Sequence, residues 1–283
     1  LFASGPDRVG RERLRSILLE PMAPEKTRRV ESWSLLPGAE SVMDSAYLIL
    51  DGRPALAVLT RPSDKLSLFG EKLLRLYFLD QEDRSRTGTK PALEVESHLN
   101  IWQQGTLMAV DVDHDGRQDL VVGYWKGLKT AYVVLDTYLQ QEENSFRRSA
   151  ATTEIEVKEG RRSMVGFGRD LDGDGAADLM LLAKDRMLVY RGSAASRDGK
   201  SVVEKTPAWS VEAPQSAGGR GDDDDIDIQL GGGNNTGEAR VQISPRNAPR
   251  PVDLDGDGRA EILFATNTAE NHGIFQVIRL SRP

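Results

Sequence analysis

The chain has 283 residues, of which 39% are hydrophobic and 29% are charged, and its formal net charge is −7. This length and composition fit a folded protein with one large all-β or α/β domain or two small domains, and no stretch reaches the roughly 18 consecutive apolar residues of a transmembrane helix. The negative charge argues against nucleic-acid binding, and the lack of cysteine excludes disulfides, thiolate metal sites and cysteine nucleophiles.

The N-terminal segment is basic, with four arginines between residues 8 and 15 that are expected to form a solvated face. Within residues 9–20, Leu14, Ile17 and Leu18 have the spacing of one face of an amphipathic helix. An arginine-flanked β-strand fits the same residues equally well, so both alternatives stay open.

A repeated acidic pattern begins in weakened form at residues 47–60, YLILDGRPALAVLT, where an Asp-Gly pair is followed directly by an apolar stretch. Complete copies, with alternating aspartates before the Asp-Gly pair, are DVDHDGRQDLVVGY at 111–124, DLDGDGAADLMLLA at 170–183 and DLDGDGRAEILFAT at 253–266. The aspartates of the four Asp-Gly pairs are 64, 59 and 83 residues apart: Asp51, Asp115, Asp174 and Asp257. A period near 60 with one long insertion indicates a repeat architecture.

Each repeat unit is expected to contain three to four β-strands. An apolar strand follows every Asp-Gly loop, and a second strand follows after a turn, at residues 73–80, 130–139, 186–192 and 273–280. Further strands are predicted at 152–158 and 208–213. Three to four strands in about 60 residues is typical of one blade of a β-propeller, so the predicted fold class is an all-β β-propeller with about four to five blade units.

The long insertion is residues 214–237, which are rich in glycine, aspartate and asparagine and are predicted to form a flexible loop. Within it, IDIQL at 226–230 could form one short strand. The loop also contains the tripeptide Arg220-Gly221-Asp222, which some adhesion receptors recognise, although chance explains it more simply in a segment of this composition.

The chemistry of the acidic loops points to calcium. We number nine positions from the first aspartate of loop 1 (residues 111–119), loop 2 (170–178) and loop 3 (253–261). Four carboxylates in nine residues repel one another unless a cation lies among them, and calcium prefers six to eight oxygen ligands. The expected ligands are side chains at positions one, three, five and nine and the carbonyl at position seven: Asp111, Asp113, Asp115, Arg117 and Asp119; Asp170, Asp172, Asp174, Ala176 and Asp178; Asp253, Asp255, Asp257, Arg259 and Glu261.

About three calcium ions are therefore expected, and their charge of +6 would leave the protein near neutrality at −1. An EF-hand is excluded, because it needs an acid at position twelve and flanking helices. Position twelve is apolar in every loop, at Val122, Leu181 and Phe264, and lies inside a predicted strand.

The repeats, DxDxDGxx followed by an acid and an apolar strand, resemble the FG-GAP or VCBS-type repeats of calcium-binding β-propellers, which include integrin alpha-subunit heads and many bacterial surface proteins. The resemblance covers residues from about 40 to 283 and includes Phe167-Gly168 ahead of loop 2. It implies ions that support structure in inter-strand loops on one rim, with ligand binding in other loops.

Residues 1–283 are interpreted as a single β-propeller domain. A seven-bladed ring of this period would need roughly 400 residues. The sequence therefore leaves three alternatives: part of a longer propeller, a smaller ring, or an incomplete arc that a partner completes.

The leading functional hypothesis is a non-enzymatic, calcium-stabilised propeller that serves as a protein-interaction, assembly or adhesion module. Loops of this type fill where calcium is near millimolar, so an extracytoplasmic location is expected, in the periplasm, at the cell surface or secreted. Partners are expected to be other proteins, with carbohydrate as an alternative. Two further hypotheses are a polysaccharide lyase or glycoside hydrolase on the same scaffold and an accessory subunit of a membrane-anchored complex. A cleft with two close carboxylates, or with Arg or Lys beside Tyr, would favour the enzyme.

Overall fold

The computed structural model describes residues 2–6, 12–16, 31–33, 40–62, 72–79, 90–97, 99, 105–127, 130–142, 145–149, 152–157, 163–182, 186–193, 201–212, 227–230, 239–242, 250–267 and 273–280. These residues form β-strands and turns, and they include no α-helix. Consistent with this, no helix of the described part of the chain is long and apolar enough to cross a membrane.

The chain divides into two compact units. One comprises Leu1–Leu128, Tyr132–Glu154 and Ser196–Lys200, and the other comprises Lys129–Ala131, Ile155–Ala195 and Ser201–Pro283. The two units are described separately below.

The first unit contains three antiparallel sheets. The N-terminal sheet has the order β1-β2-β3, with β1 (Phe2–Pro6), β2 (Glu12–Ser16) and β3 (Glu31–Trp33). The second sheet has the order β4-β5-β6-β7, with β4 (Glu40–Leu50), β5 (Arg53–Pro62), β6 (Lys72–Phe78) and β7 (Leu93–Ser97). The third consists of β8 (Gly105–Val110), β9 (Asp119–Lys126), β10 (Ala131–Gln140) and β11 (Phe146–Arg148), and β12 (Thr153–Val157) also pairs with β10.

The second unit contains two blade sheets and a hairpin. One sheet has the order β13-β14-β15-β16, with β13 (Ser163–Arg169), β14 (Asp178–Leu182), β15 (Arg186–Tyr190) and β16 (Trp209–Glu212). The hairpin pairs β17 (Asp227–Leu230) with β18 (Ala239–Gln242). The last sheet has the order β19-β20-β21, with β19 (Arg250–Val252), β20 (Glu261–Asn267) and β21 (Gly273–Ile278).

The strand order within the sheets is that of propeller blades, because strands that follow one another in the chain lie side by side and antiparallel. The predicted fold class, an all-β β-propeller, is confirmed. The short strand predicted at 226–230 is confirmed as β17. Residues 12–16 form strand β2, so the strand alternative holds there. The tripeptide Arg220-Gly221-Asp222 lies outside the described residues.

Apolar residues of the central strands form the core of each unit. In the first unit, Leu59, Leu74 and Leu120 are fully buried in one cluster. In the second unit, the cluster includes Met180 and Ile262. Full burial of such a side chain contributes about 1.5–3 kcal/mol. Strand β9 is buried along residues 119–124, and because successive side chains point to opposite faces of a strand, both of its faces are covered. This explains the unbroken apolar run after the first acidic loop.

This topology places the acidic loops at equivalent points. Loop 1 joins β8 to β9, loop 2 joins β13 to β14, and loop 3 joins β19 to β20, so each connects the first and second strands of its sheet. The weakened copy forms the turn between β4 and β5, where Asp51 and Gly52 have φ values of 46° and 72°.

Candidate metal centre

The first aspartate of each acidic loop closes the loop by accepting hydrogen bonds from backbone N–H groups. In every loop one of these bonds comes from the glycine at position six: Gly116 to Asp111 (2.9 Å), Gly175 to Asp170 (2.9 Å) and Gly258 to Asp253 (3.1 Å). The three glycines have φ values of 86°, 89° and 88°, in the left-handed region where other residues are strained. The shared geometry follows from the shared sequence.

Positions three, five and seven form a second set of local bonds. The position-five N–H donates to the position-three carboxylate in each loop, at 3.3 Å, 3.0 Å and 3.3 Å. The position-seven N–H donates to the position-five carboxylate at 2.8 Å, 2.8 Å and 2.9 Å, from Arg117, Ala176 and Arg259 in turn. Carbonyl coordination at position seven stays a prediction.

Three acidic side chains converge in each loop. Carboxylate oxygens that all lie within 4.8 Å of one another come from Asp111, Asp113 and Asp115 in loop 1, Asp170, Asp172 and Asp178 in loop 2, and Asp253, Asp255 and Glu261 in loop 3. Burial and, next, the charge of Asp115 raise the pKa of Asp113, as expected where carboxylates crowd together. Clusters made only of carboxylate oxygens fit a hard divalent cation such as calcium.

The acid at position nine makes bonds that sequence reasoning missed. Asp119, only 1% exposed, accepts the N–H groups of Val112 (3.0 Å) and Gln140 (2.8 Å). Asp178, also 1% exposed, accepts those of Leu171 and Gly192, both at 2.8 Å. This acid therefore joins the start of its loop to the end of β10 in loop 1 and to the residue two places after β15 in loop 2.

The position-nine acid of loop 3 accepts hydrogen bonds from one backbone group and from one arginine side chain. Glu261 accepts the Leu254 N–H at 3.0 Å and Nε of Arg279 at 2.9 Å. These two donors, the backbone group first, lower the pKa of Glu261. Burial instead raises the pKa of Asp119 to about 7 and that of Asp178 to about 6.

Arginines contact the position-three carboxylates of two loops. Nε of Arg191 donates to Asp172 at 2.7 Å, and the Asp172 side chain is 0% exposed. Arg279 contacts Asp255, whose pKa it lowers, and also donates to Glu261 at 2.6 Å. In loop 1, by contrast, the arginine contact is to position five and comes from Arg117 within the loop.

In loops 1 and 3, residues at positions seven and eight also contact the preceding repeat. In the first unit, the Gln118 side-chain oxygen accepts the Ile49 N–H at 2.7 Å. In the second unit, the Ala260 N–H donates to the Asp170 carbonyl at 2.8 Å, and Arg259 donates to the Asp172 carbonyl. Each link joins two neighbouring copies of the repeat.

A separate polar cluster surrounds Asp136 on β10. Its carboxylate accepts the Tyr124 hydroxyl at 3.2 Å, Arg148 at 2.9 Å and the Thr152 hydroxyl at 2.9 Å. Burial, followed by the charge of Asp136, raises the pKa of Tyr124. Asp136 and Tyr124 are both buried, whereas the Arg148 side chain is 36% exposed, so the network joins a buried carboxylate to the surface of its sheet.

Comparison of the chain with protein-family models and with curated proteins finds no match.

Proposed function

We propose that this chain is a calcium-stabilised β-propeller of FG-GAP or VCBS type that acts outside the cytoplasm as an interaction, assembly or adhesion module. The observation that carries the proposal is that three separate loops share one backbone closure and each gathers three acidic side chains. In each, carboxylate oxygens converge within 4.8 Å, and the first aspartate is held by the N–H of the position-six glycine. The third member of the cluster is position five in loop 1 and position nine in loops 2 and 3. Oxygen-rich clusters of this kind suit a hard cation.

Calcium suits these loops better than magnesium, because magnesium prefers a compact octahedron that retains several waters. A structural role for the ion is supported by the location of the loops, each of which connects two paired strands of one sheet. Loops of this kind commonly bind calcium in the range found outside the cytoplasm, and this supports the proposed extracytoplasmic location.

Two observations favour an interaction module over an enzyme. In the Tyr124, Asp136 and Arg148 network, Tyr124 and Asp136 are buried while Arg148 reaches the surface, so the carboxylate and the phenol are not presented to a substrate. In the weakened repeat, Tyr47 and Ile49 stand where the complete loops have aspartates, and they are 45% and 39% exposed. Exposed apolar side chains beside the turn between β4 and β5 would suit contact with another protein.

Thermal melting with calcium and with chelator tests the calcium proposal. A ligand that binds only the folded state stabilises it by about 2.7 kcal/mol per site when its concentration is a hundred times its Kd. The melting temperature should therefore rise with calcium and fall with chelator. Isothermal calorimetry should count three ions, and two in the variant Asp172→Ala with Asp174→Ala. Asp51→Asn, in the weakened repeat, is the control and should retain three. An unchanged melting temperature in calcium and chelator, or three ions in the double variant, would contradict the proposal.

A further inference from the structure

The three acidic loops differ at one equivalent position, which lies at or just after the end of strands β10, β15 and β21. The first residue after each position-nine acid pairs across the sheet: Leu120 with Tyr138, Leu179 with Tyr190, and Ile262 with Ile278. The residue that follows each of these partners therefore occupies an equivalent place in the three sheets. It is arginine for loops 2 and 3 and leucine for loop 1, namely Arg191, Arg279 and Leu139.

Both arginines place a positive charge on the position-three carboxylate. Arg191 meets Oδ2 of Asp172 at 2.7 Å, and its guanidinium carbon lies 5.0 Å from the centre of the Trp209 ring, which fixes its direction. Arg279 contacts Asp255 and bridges to Glu261 at 2.6 Å. Each guanidinium therefore supplies positive charge that offsets part of the negative charge of its loop.

At the equivalent position loop 1 has Leu139, which is buried and carries no charge. In loop 1 the positive charge comes instead from Arg117, which bonds to Asp115 at position five. Beside it, the side-chain oxygen of the buried Gln140 has no hydrogen-bond partner among the described residues, and Gln140 lines an open pocket with Gly116 and Arg117. Loop 1 thus takes its compensating charge from within the loop, and beside it lies an oxygen acceptor that has no partner among the described residues.

We propose that Arg191 and Arg279 are internal counter-ions that lower the calcium affinity of loops 2 and 3 and hold those loops in shape when calcium is scarce. This inference rests on the proposed calcium binding. A guanidinium and a calcium ion that share a carboxylate repel each other, and even in the dielectric of water this repulsion lowers affinity about tenfold.

Reciprocal substitutions between the loops test the proposal. Arg191→Leu copies the residue of loop 1 into loop 2, and Leu139→Arg makes the opposite change. Calcium chloride is titrated by calorimetry into the full chain carrying Asp111→Asn and Asp253→Asn, which isolates loop 2. Arg191→Leu should tighten binding at loop 2 about tenfold. Leu139→Arg should weaken loop 1 by a similar factor in a chain carrying Asp170→Asn and Asp253→Asn.

Melting provides a second readout and a charge control. In chelator, Arg191→Leu should melt below the wild type, because the buried Asp172 then lacks its positive partner. Its gain in melting temperature on adding calcium should exceed that of the wild type. Arg191→Lys retains the charge and should behave like the wild type in both respects.

The outcomes separate this inference from the calcium proposal. Three calcium sites whose affinities do not change in Arg191→Leu would overturn the counter-ion role and leave the proposed function standing. Lys and Leu variants with equal affinity changes would also overturn it, because packing rather than charge would then be responsible. No calcium binding by the wild type would overturn both proposals together.

Discussion

Replacing the position-nine acid of loop 1 by alanine should destabilise the first unit strongly, whether or not calcium is present. Asp119→Ala removes the acceptor for the Val112 N–H at 3.0 Å and the Gln140 N–H at 2.8 Å. Asp119 is 1% exposed, and both donor residues are buried, so water cannot readily replace the carboxylate. An unsatisfied buried donor costs about 1–3 kcal/mol, so two donors give a loss of about 2–6 kcal/mol.

Asn at the same position provides a graded comparison. Asp119→Asn retains one carbonyl oxygen, so it should keep one of the two bonds and lose about 1–3 kcal/mol. Asp51→Asn is the matched control, because Asp51 occupies an exposed turn with φ of 46°, a conformation that asparagine also adopts. The control should change the free energy of unfolding by less than about 0.5 kcal/mol.

Urea unfolding followed by tryptophan fluorescence measures these changes, with free energies taken from the midpoint and slope in chelator and in calcium. A loss that persists in chelator shows that Asp119 acts through the backbone bonds. A loss that appears in calcium alone would instead assign Asp119 to the ion and refute the present reasoning. Wild-type stability of Asp119→Ala in both conditions would refute it as well.

Two further predictions concern the same acids. Without calcium, the free energy of unfolding should fall as pH rises from about 4 towards 7. Burial raises the pKa of Asp119 to about 7 and that of Asp178 to about 6, so the folded chain holds more protons than the unfolded chain in this window. The test is the melting temperature in chelator across this range, and a melting temperature that is lower at pH 4 than at pH 7 would contradict the prediction. Gly192→Ala should lower the free energy of unfolding by about 1–3 kcal/mol, because its Cβ would lie 2.5 Å from the Ala177 carbonyl oxygen and would displace the N–H that Asp178 accepts. An unchanged midpoint of urea unfolding would contradict this prediction.

The strands were predictable where local chemistry decides the structure. The left-handed glycine at position six turns the chain between two strands, and an apolar run that is buried on both faces begins the next strand, as in β9 after Gly116. The closure of each loop by its first aspartate follows from the same nine residues. These features need no information from elsewhere in the chain.

Other features depend on strand pairing and could not be inferred from one loop. The second partner of Asp119 is Gln140, which lies 21 residues further along the chain. Arg191 reaches Asp172 across 19 residues, and its role appears when the register of β14 and β15 is known. Residues 12–16 show the same limit, since pairing with β1 and β3 decided between the helix and strand alternatives.

The links between repeats suggest how a bound cation would stabilise more than its own loop. The position-eight residue of loop 3 donates to the Asp170 carbonyl, and that aspartate also closes loop 2 through its side chain. An ion that fixes loop 2 would therefore fix an acceptor used by the following repeat. In the first unit the link runs the other way: Gln118 of loop 1 is the acceptor, and the donor is Ile49 of the weakened repeat, which keeps Asp51 at position five. Loop 1 therefore holds the end of the strand that carries the exposed Tyr47 and Ile49.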